Sequence, residues 1–239
     1  MKHTFAYVTL ALTISFVVSP ALTDPFSGFR ADQLPIPQID PPVQPAGYAF
    51  AIWGLIYAWL LVSALFGVWK RADDAGWTAA RLPLIASLAI GTPWLAVANT
   101  SAIWATVMIF AMAVTAIAAL MRSPAYDRWW LRTPVAIYAG WLTAASFVSL
   151  GSTAAGYGLV TDALGWAYLG IALAAGSAGY VLWRTGSVAY GATVIWALIA
   201  VIVANGAELI GVSSAATAGI VVISALIARN GITAQPVPS

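Results

Sequence analysis

Apolar residues run through this chain in eight long blocks, approximately 4–22, 46–69, 82–98, 103–121, 134–152, 164–183, 188–204 and 209–228. Polar and charged residues collect between the blocks and do not alternate within them. A helix needs about 20 apolar residues to cross the hydrocarbon core, with a range of about 17–25, so each block has approximately the length of a span. Lipid offers no partner to exposed backbone groups, which leaves helices and closed barrels as the only spanning structures. The blocks are continuous and rich in Ala, Leu and Ile, unlike the short alternating segments of a barrel. The pattern predicts an all-α polytopic membrane protein with eight transmembrane helices.

The gaps between blocks are uneven. The longest, 23–45, holds six prolines (Pro25, Pro35, Pro37, Pro41, Pro42 and Pro45) and reads as extended, partly polyproline-like chain. It is either a stiff connector or a lid over a pocket. The segments 70–81 and 122–133 read as short charged loops. The other connections are tight, as at Ala204-Asn205-Gly206-Ala207 before Glu208. Pro93, inside the third block, removes one helical hydrogen bond and is expected to kink that span.

Composition agrees with the pattern. The chain is 62% hydrophobic and 8% charged, against about 45–50% and roughly 25% for a soluble domain. Its mean hydropathy is +0.89. A cytosolic domain and a disordered chain are excluded. Ten Lys and Arg spread over this length build no basic groove, so no nucleic-acid partner is expected. The partner that the composition does imply is the lipid bilayer. There is no Cys, and the single His is His3; disulfides, thiolate ligands and an internal histidine are ruled out, and neither a metal site nor a required cofactor is expected.

Charge sets an expected orientation. With eight spans and the N-terminus inside, Lys2, Lys70, Arg71, Arg81, Arg122, Arg128, Arg132, Arg184 and Arg229 share the inner side, and Arg30 alone lies outside. Such an excess places both termini in the cytoplasm, in a multi-pass protein of the bacterial inner membrane. Asp24, Asp32, Asp40, Asp162 and Glu208 fall on the outer side, and Trp69, Trp77, Trp129, Trp130 and Trp183 sit where an inner aromatic belt would lie. The first span has a second reading as a cleaved signal peptide ending near Ser19-Pro20-Ala21, although its apolar run exceeds the ~7–15 residues of a signal core.

Intramembrane ionisable residues are the usual functional pointers, and here almost none exist. Glu208, with Asn205 just before it, is the nearest case, and the pair are candidates for the outer gate of a carrier. An interfacial carboxylate at a helix start is the plainer reading of Glu208. Lys2 and Lys70 both lie outside the last spans, so a retinal Schiff base is excluded there. No nucleophile–base set, no paired carboxylates on one helix and no phosphate loop occur, so no catalytic residue is assigned and an enzyme is not expected. Small residues at Gly211, Ala215 and Gly219, and at Gly170/Ala174 and Ala175/Gly179, permit close helix approach within the bundle or at a homodimer or membrane-complex interface.

Aromatic residues supply the remaining chemistry. Of twelve Trp, several lie deep within spans. Tyr48, Phe50, Trp53 and Tyr57 crowd the start of the second span, where Trp53 and Tyr57, four apart, share a helix face. Tyr138 and Trp141 form a similar pair on the fifth. Such residues either fill the core or line a pocket for a flat apolar ligand.

The run Pro45-Ala46-Gly47-Tyr48-Ala49-Phe50-Ala51-Ile52-Trp53-Gly54-Leu55-Ile56-Tyr57, with Tyr138-Ala139-Gly140-Trp141, resembles the tryptophan-rich sensory protein family, also called TspO or the peripheral benzodiazepine receptor family. The chain departs from the family pattern in its proline pair, Pro41-Pro42, in Ile137 and Ser149, and in the order of Trp94, Asn99 and Trp104. The resemblance implies a five-helix membrane unit over residues 1–155, with residues 156–239 forming three additional transmembrane helices. It further implies a non-enzymatic binding or sensor protein that takes a porphyrin or haem-type tetrapyrrole, or a sterol-like ligand, beneath the first loop, and that often dimerises. Trp53, Tyr57, Trp141 and Tyr138 carry over by position. Tyr48, Phe50, Trp94 and Asn99 join them from their apparent depth. A carrier of a small or lipophilic solute and an accessory subunit of a larger complex are the alternatives.

Overall fold

The computed structural model describes residues 2–26 and 28–233, with side chains from His3 to Asn230. Met1, the Lys2 side chain of the charge pattern and residues 234–239 of the expected C-terminal unit lie outside the described residues. The eight long helices are α1 (Lys2–Val18), α2 (Ile52–Lys70), α3 (Ala75–Ala98), α4 (Ala102–Arg122), α5 (Thr133–Gly156), α6 (Ala163–Thr185), α7 (Val188–Asn205) and α8 (Ile210–Thr233). Each is long and apolar enough to span a membrane, and no strand occurs among the described residues. α3 runs unbroken through both Pro83 and Pro93.

α5 is the central helix. Of its most apolar stretch 72% is buried, against 28% in α1, α2 and α8. Its many Ala, Gly, Ser and Thr residues allow α4, α6 and α7 to pack against it. Hydroxyls tie α5 to α3, α7 and α4 in turn: Tyr138 and Ser87 share a hydrogen bond of 2.9 Å, Thr143 and Tyr190 one of 2.8 Å, and Ser149 and Thr106 one of 2.8 Å. Such bonds satisfy side chains that lipid cannot, and each contributes about 0.6–2 kcal/mol.

The sequence places residues 70–81 in a loop, whereas the helix begins at Ala75. The Asp74 carboxylate accepts from the Trp77 backbone N–H at 2.9 Å and caps the added turns. Arg81 is therefore inside α3, 2% exposed, and reaches back to the end of α2. Its guanidinium donates to the carbonyls of Gly67, Arg71 and Ala72 at 2.9, 3.0 and 3.3 Å, at the α2 C-terminus, where carbonyls have acceptor capacity to spare. Trp77 likewise leaves the expected aromatic belt: it is 1% exposed, and its indole N–H donates to Asp127 at 2.8 Å. The other four belt residues, Trp69, Trp129, Trp130 and Trp183, are exposed as expected.

These contacts gather the basic residues at one end of the bundle. Arg71 pairs with Asp127 at 2.6 Å, and His3 lies 2.9 Å from Asp73. Arg132 donates to Thr185 O at 2.6 Å, and Asn230 to Leu182 O at 3.1 Å. The start of α1 and the end of α8 thus lie at the same end as the α2–α3 and α4–α5 connections.

A clasp at this end has a defined pH window. The Tyr126 hydroxyl donates to Asp74 at 2.6 Å. Burial acts to raise the Asp74 carboxyl, but the hydrogen bonds from Tyr126 and from the Trp77 and Gly76 N–H groups, with Arg71 nearby, hold it below its ordinary value. The bond to Asp74, with some burial, pushes Tyr126 up to about 12. A lowered acid stabilises the fold above its unfolded value of 3.8 and loses that contribution as pH falls through its folded value. A raised phenol stabilises it below 10 and loses that contribution as pH rises toward about 12. The phenolate difference absorbance between wild type and Tyr126→Phe should therefore titrate well above pH 10; a midpoint at the free-tyrosine value would show that the clasp is not formed.

Candidate functional site

At the end opposite the basic cluster, the proline-rich segment folds over the bundle and covers a cavity of about 260 Å³. This is near the lower end of small-molecule sites, about 300–1,000 Å³. Prolines lack an N–H, so the segment is poor in donors while its carbonyls still need partners. Side-chain amides fill the deficit. Asn99 Nδ2 donates to Asp24 O at 3.0 Å and Asn205 Nδ2 to Pro42 O at 2.9 Å, while Gln33 Nε2 reaches Ala98 O at 2.9 Å. Asn205 also donates to Val201 O at 2.8 Å. Two bonds carry the segment from α7 into α2: Ala46 N to Ala200 O at 3.0 Å and Trp196 Nε1 to Ala49 O at 3.2 Å.

Five of the eight aromatic and polar residues expected around a ligand line this cavity: Phe50, Trp53, Tyr57, Trp94 and Trp141. Trp53 stacks on Tyr57 with centroids 5.3 Å apart and an interplanar angle of 20°, as their spacing on one helix face requires. Trp141 meets Phe50 and Trp53 edge-on at 5.8 and 6.3 Å. Trp94 donates its N–H to Ala105 O at 2.9 Å and packs on Phe26 of the covering segment at 5.3 Å. The Trp141 indole N–H is different. It is the one buried side-chain polar atom without a hydrogen-bond partner among the described residues, in a residue only 2% exposed.

The other three lie elsewhere. Tyr138 is fully buried beside Ser87 and Phe16, facing α3 and α1. Tyr48 is 45% exposed and packs on Trp196. Asn99 is a loop anchor, as is Asn205 of the expected outer gate, while Glu208 is exposed. The small-residue ladder of α8 is occupied within the chain. A Cβ at Gly211 would run into the Tyr168 hydroxyl, and one at Gly219 would meet Leu198 at 3.1 Å and Ala175 at 3.6 Å.

Sequence reasoning missed two parts of the lining. Phe26 and Phe29, apolar residues among the prolines, turn inward; two aromatic residues in a proline-rich loop were the available signal. The second is a wall from α6 and α7, which includes Gly170, Ala174, Ala197 and Leu198. These helices lie beyond residue 155, and nothing in their residue types marks a site.

The family model described as TSPO-like protein matches residues 5–228, through all eight helices. No curated protein and no solved structure matches the chain. A match over nearly the whole length makes this chain a member of the TSPO-like protein family.

Proposed function

We propose that this protein is a non-enzymatic binding or sensor protein of the bacterial inner membrane, and that it takes a flat hydrophobic ligand, porphyrin-type or sterol-like, into the cavity beneath residues 23–45. The observation that carries this reading is the convergence of Phe50, Trp53, Tyr57, Trp94 and Trp141 on one covered cavity. Large rings supply contact area there, and a few polar tips orient the ligand. Family membership supports the same class. No resident cofactor is needed; the tetrapyrrole or sterol is cargo or signal.

The test is a fluorescence titration of the detergent-solubilised protein with protoporphyrin IX and with a sterol, beside empty micelles. Burying an apolar side chain contributes about 1.5–3 kcal/mol, so Trp53→Ala with Trp141→Ala should weaken saturable binding at least roughly tenfold. Size-exclusion chromatography should show the double variant still folded. Equal, non-saturating quenching in both proteins would reject the pocket.

A further inference from the structure

The electrostatic character of the cavity narrows its occupant. Among the described residues its lining holds no Lys, Arg or His. The one Asp or Glu among its described lining residues is Asp24, at the exposed mouth, and it brings no positive charge. The remaining polar side chains are neutral: the hydroxyls of Tyr57, Ser149 and Ser152, the indoles and the Gln44 amide. The basic residues of this end do not help, because Arg30, the only one in the covering segment, is exposed and bound to Asp32 at 3.0 Å. Trp141, deep in the cavity, retains an unused donor. An indole N–H can only donate. A buried donor without a partner is costly and favours an occupant that brings an acceptor. A buried carboxylate needs a cation or several donors; the lining supplies no cation, and among the described residues the Trp141 N–H is the one buried side-chain donor left without a partner.

We infer that the cavity selects an uncharged lipophile bearing a hydrogen-bond acceptor such as a carbonyl, ester, ether or hydroxyl, held by the Trp141 N–H, and discriminates against carboxylated ligands of the same shape. This rests on the binding reading above and sharpens it: a tetrapyrrole with free propionates is the poorer ligand, and its esterified or otherwise neutral counterpart the better one.

Two matched probe pairs test the inference on the full chain: protoporphyrin IX against its dimethyl ester, and cholesterol against cholesteryl hemisuccinate. Each is titrated at several detergent concentrations, with the Trp53→Ala/Trp141→Ala protein as the blank for partition. The neutral member of a binding pair should bind at least tenfold more tightly. Trp141→Phe keeps a ring but removes the N–H, and should cost the neutral ligand roughly threefold to tenfold, the value of one hydrogen bond. Gln44→Arg adds a cation to the lining at a half-buried position, and should shift the preference within each pair toward the carboxylated member. Saturable binding with equal or tighter affinity for the acids overturns the selection and leaves the pocket standing. Absence of saturable binding by all four probes overturns the pocket reading and the selection with it.

Discussion

Gly140→Leu should prise α5 from α7 and cost this protein roughly 3 kcal/mol, the upper end of overpacking penalties. A Cβ at Gly140 would stand 2.7 Å from the Tyr190 carbonyl oxygen and 3.0 Å from Thr193 Cβ. The first of these is backbone and cannot rotate away. The helices must separate, and the buried Thr143–Tyr190 hydrogen bond one turn further along stretches with them. For a chain of this size the loss corresponds to about 6–12 °C in thermal midpoint, read by intrinsic fluorescence in detergent. Gly176→Leu is the control: that glycine is exposed on α6, with nothing within 4 Å of a Cβ. It should leave the midpoint almost unchanged. Equal midpoints for the two variants would mean that α5 and α7 are not in close contact.

Arg81→Met should be comparably damaging, at about 3 kcal/mol. Met keeps an apolar stem against Trp77 and removes the guanidinium. The carbonyls of Gly67, Arg71 and Ala72 then lose their charged donor. A hydrogen bond to a charged group contributes about 1.5–3 kcal/mol; Gly67 O and Arg71 O keep the backbone N–H groups of Arg71 and Asp74, and water at the membrane surface recovers part of the total. Lys retains the charge but lacks the planar fork that spans several acceptors. Thermal midpoints should thus fall in the order Arg, Lys, Met. A Met variant as stable as wild type would show that water replaces the guanidinium without loss.

The helices were legible because a membrane span is written as an unbroken apolar block, and the structure has one helix for each block. The start of α3 was not, since Trp77 and Arg81 look like interfacial residues. Hydropathy sees a charge at Arg81; only the neighbouring α2 terminus explains why it is buried. Within the site, Trp53 and Tyr57 were legible through their four-residue spacing, because both lie on one helix and need no tertiary information. Tyr138 and Trp141 show where this reasoning ends. Three residues apart on α5, they diverge enough that Trp141 joins the cavity while Tyr138 turns to Ser87. Asn99 and Asn205 resembled site residues because polar groups at span ends are scarce. Their role came from the proline-rich segment, whose carbonyls needed donors. The α6–α7 wall carried no sequence signal, since Ala, Gly and Leu line cavities and fill cores alike.

The anchors of the covering segment bear on time as well as on place. Asp24 hangs from α3 through Asn99, and Pro42 and Ala46 hang from α7 through Asn205 and Ala200. For a molecule passing over this rim, the toll is the breaking of those bonds, and it applies equally to arrival and departure. The same barrier therefore lowers both rate constants and cancels from their ratio. The aromatic and indole contacts below would set how much of an occupant is bound and lengthen its stay, while two asparagine amides that need never touch it would slow entry and exit alike.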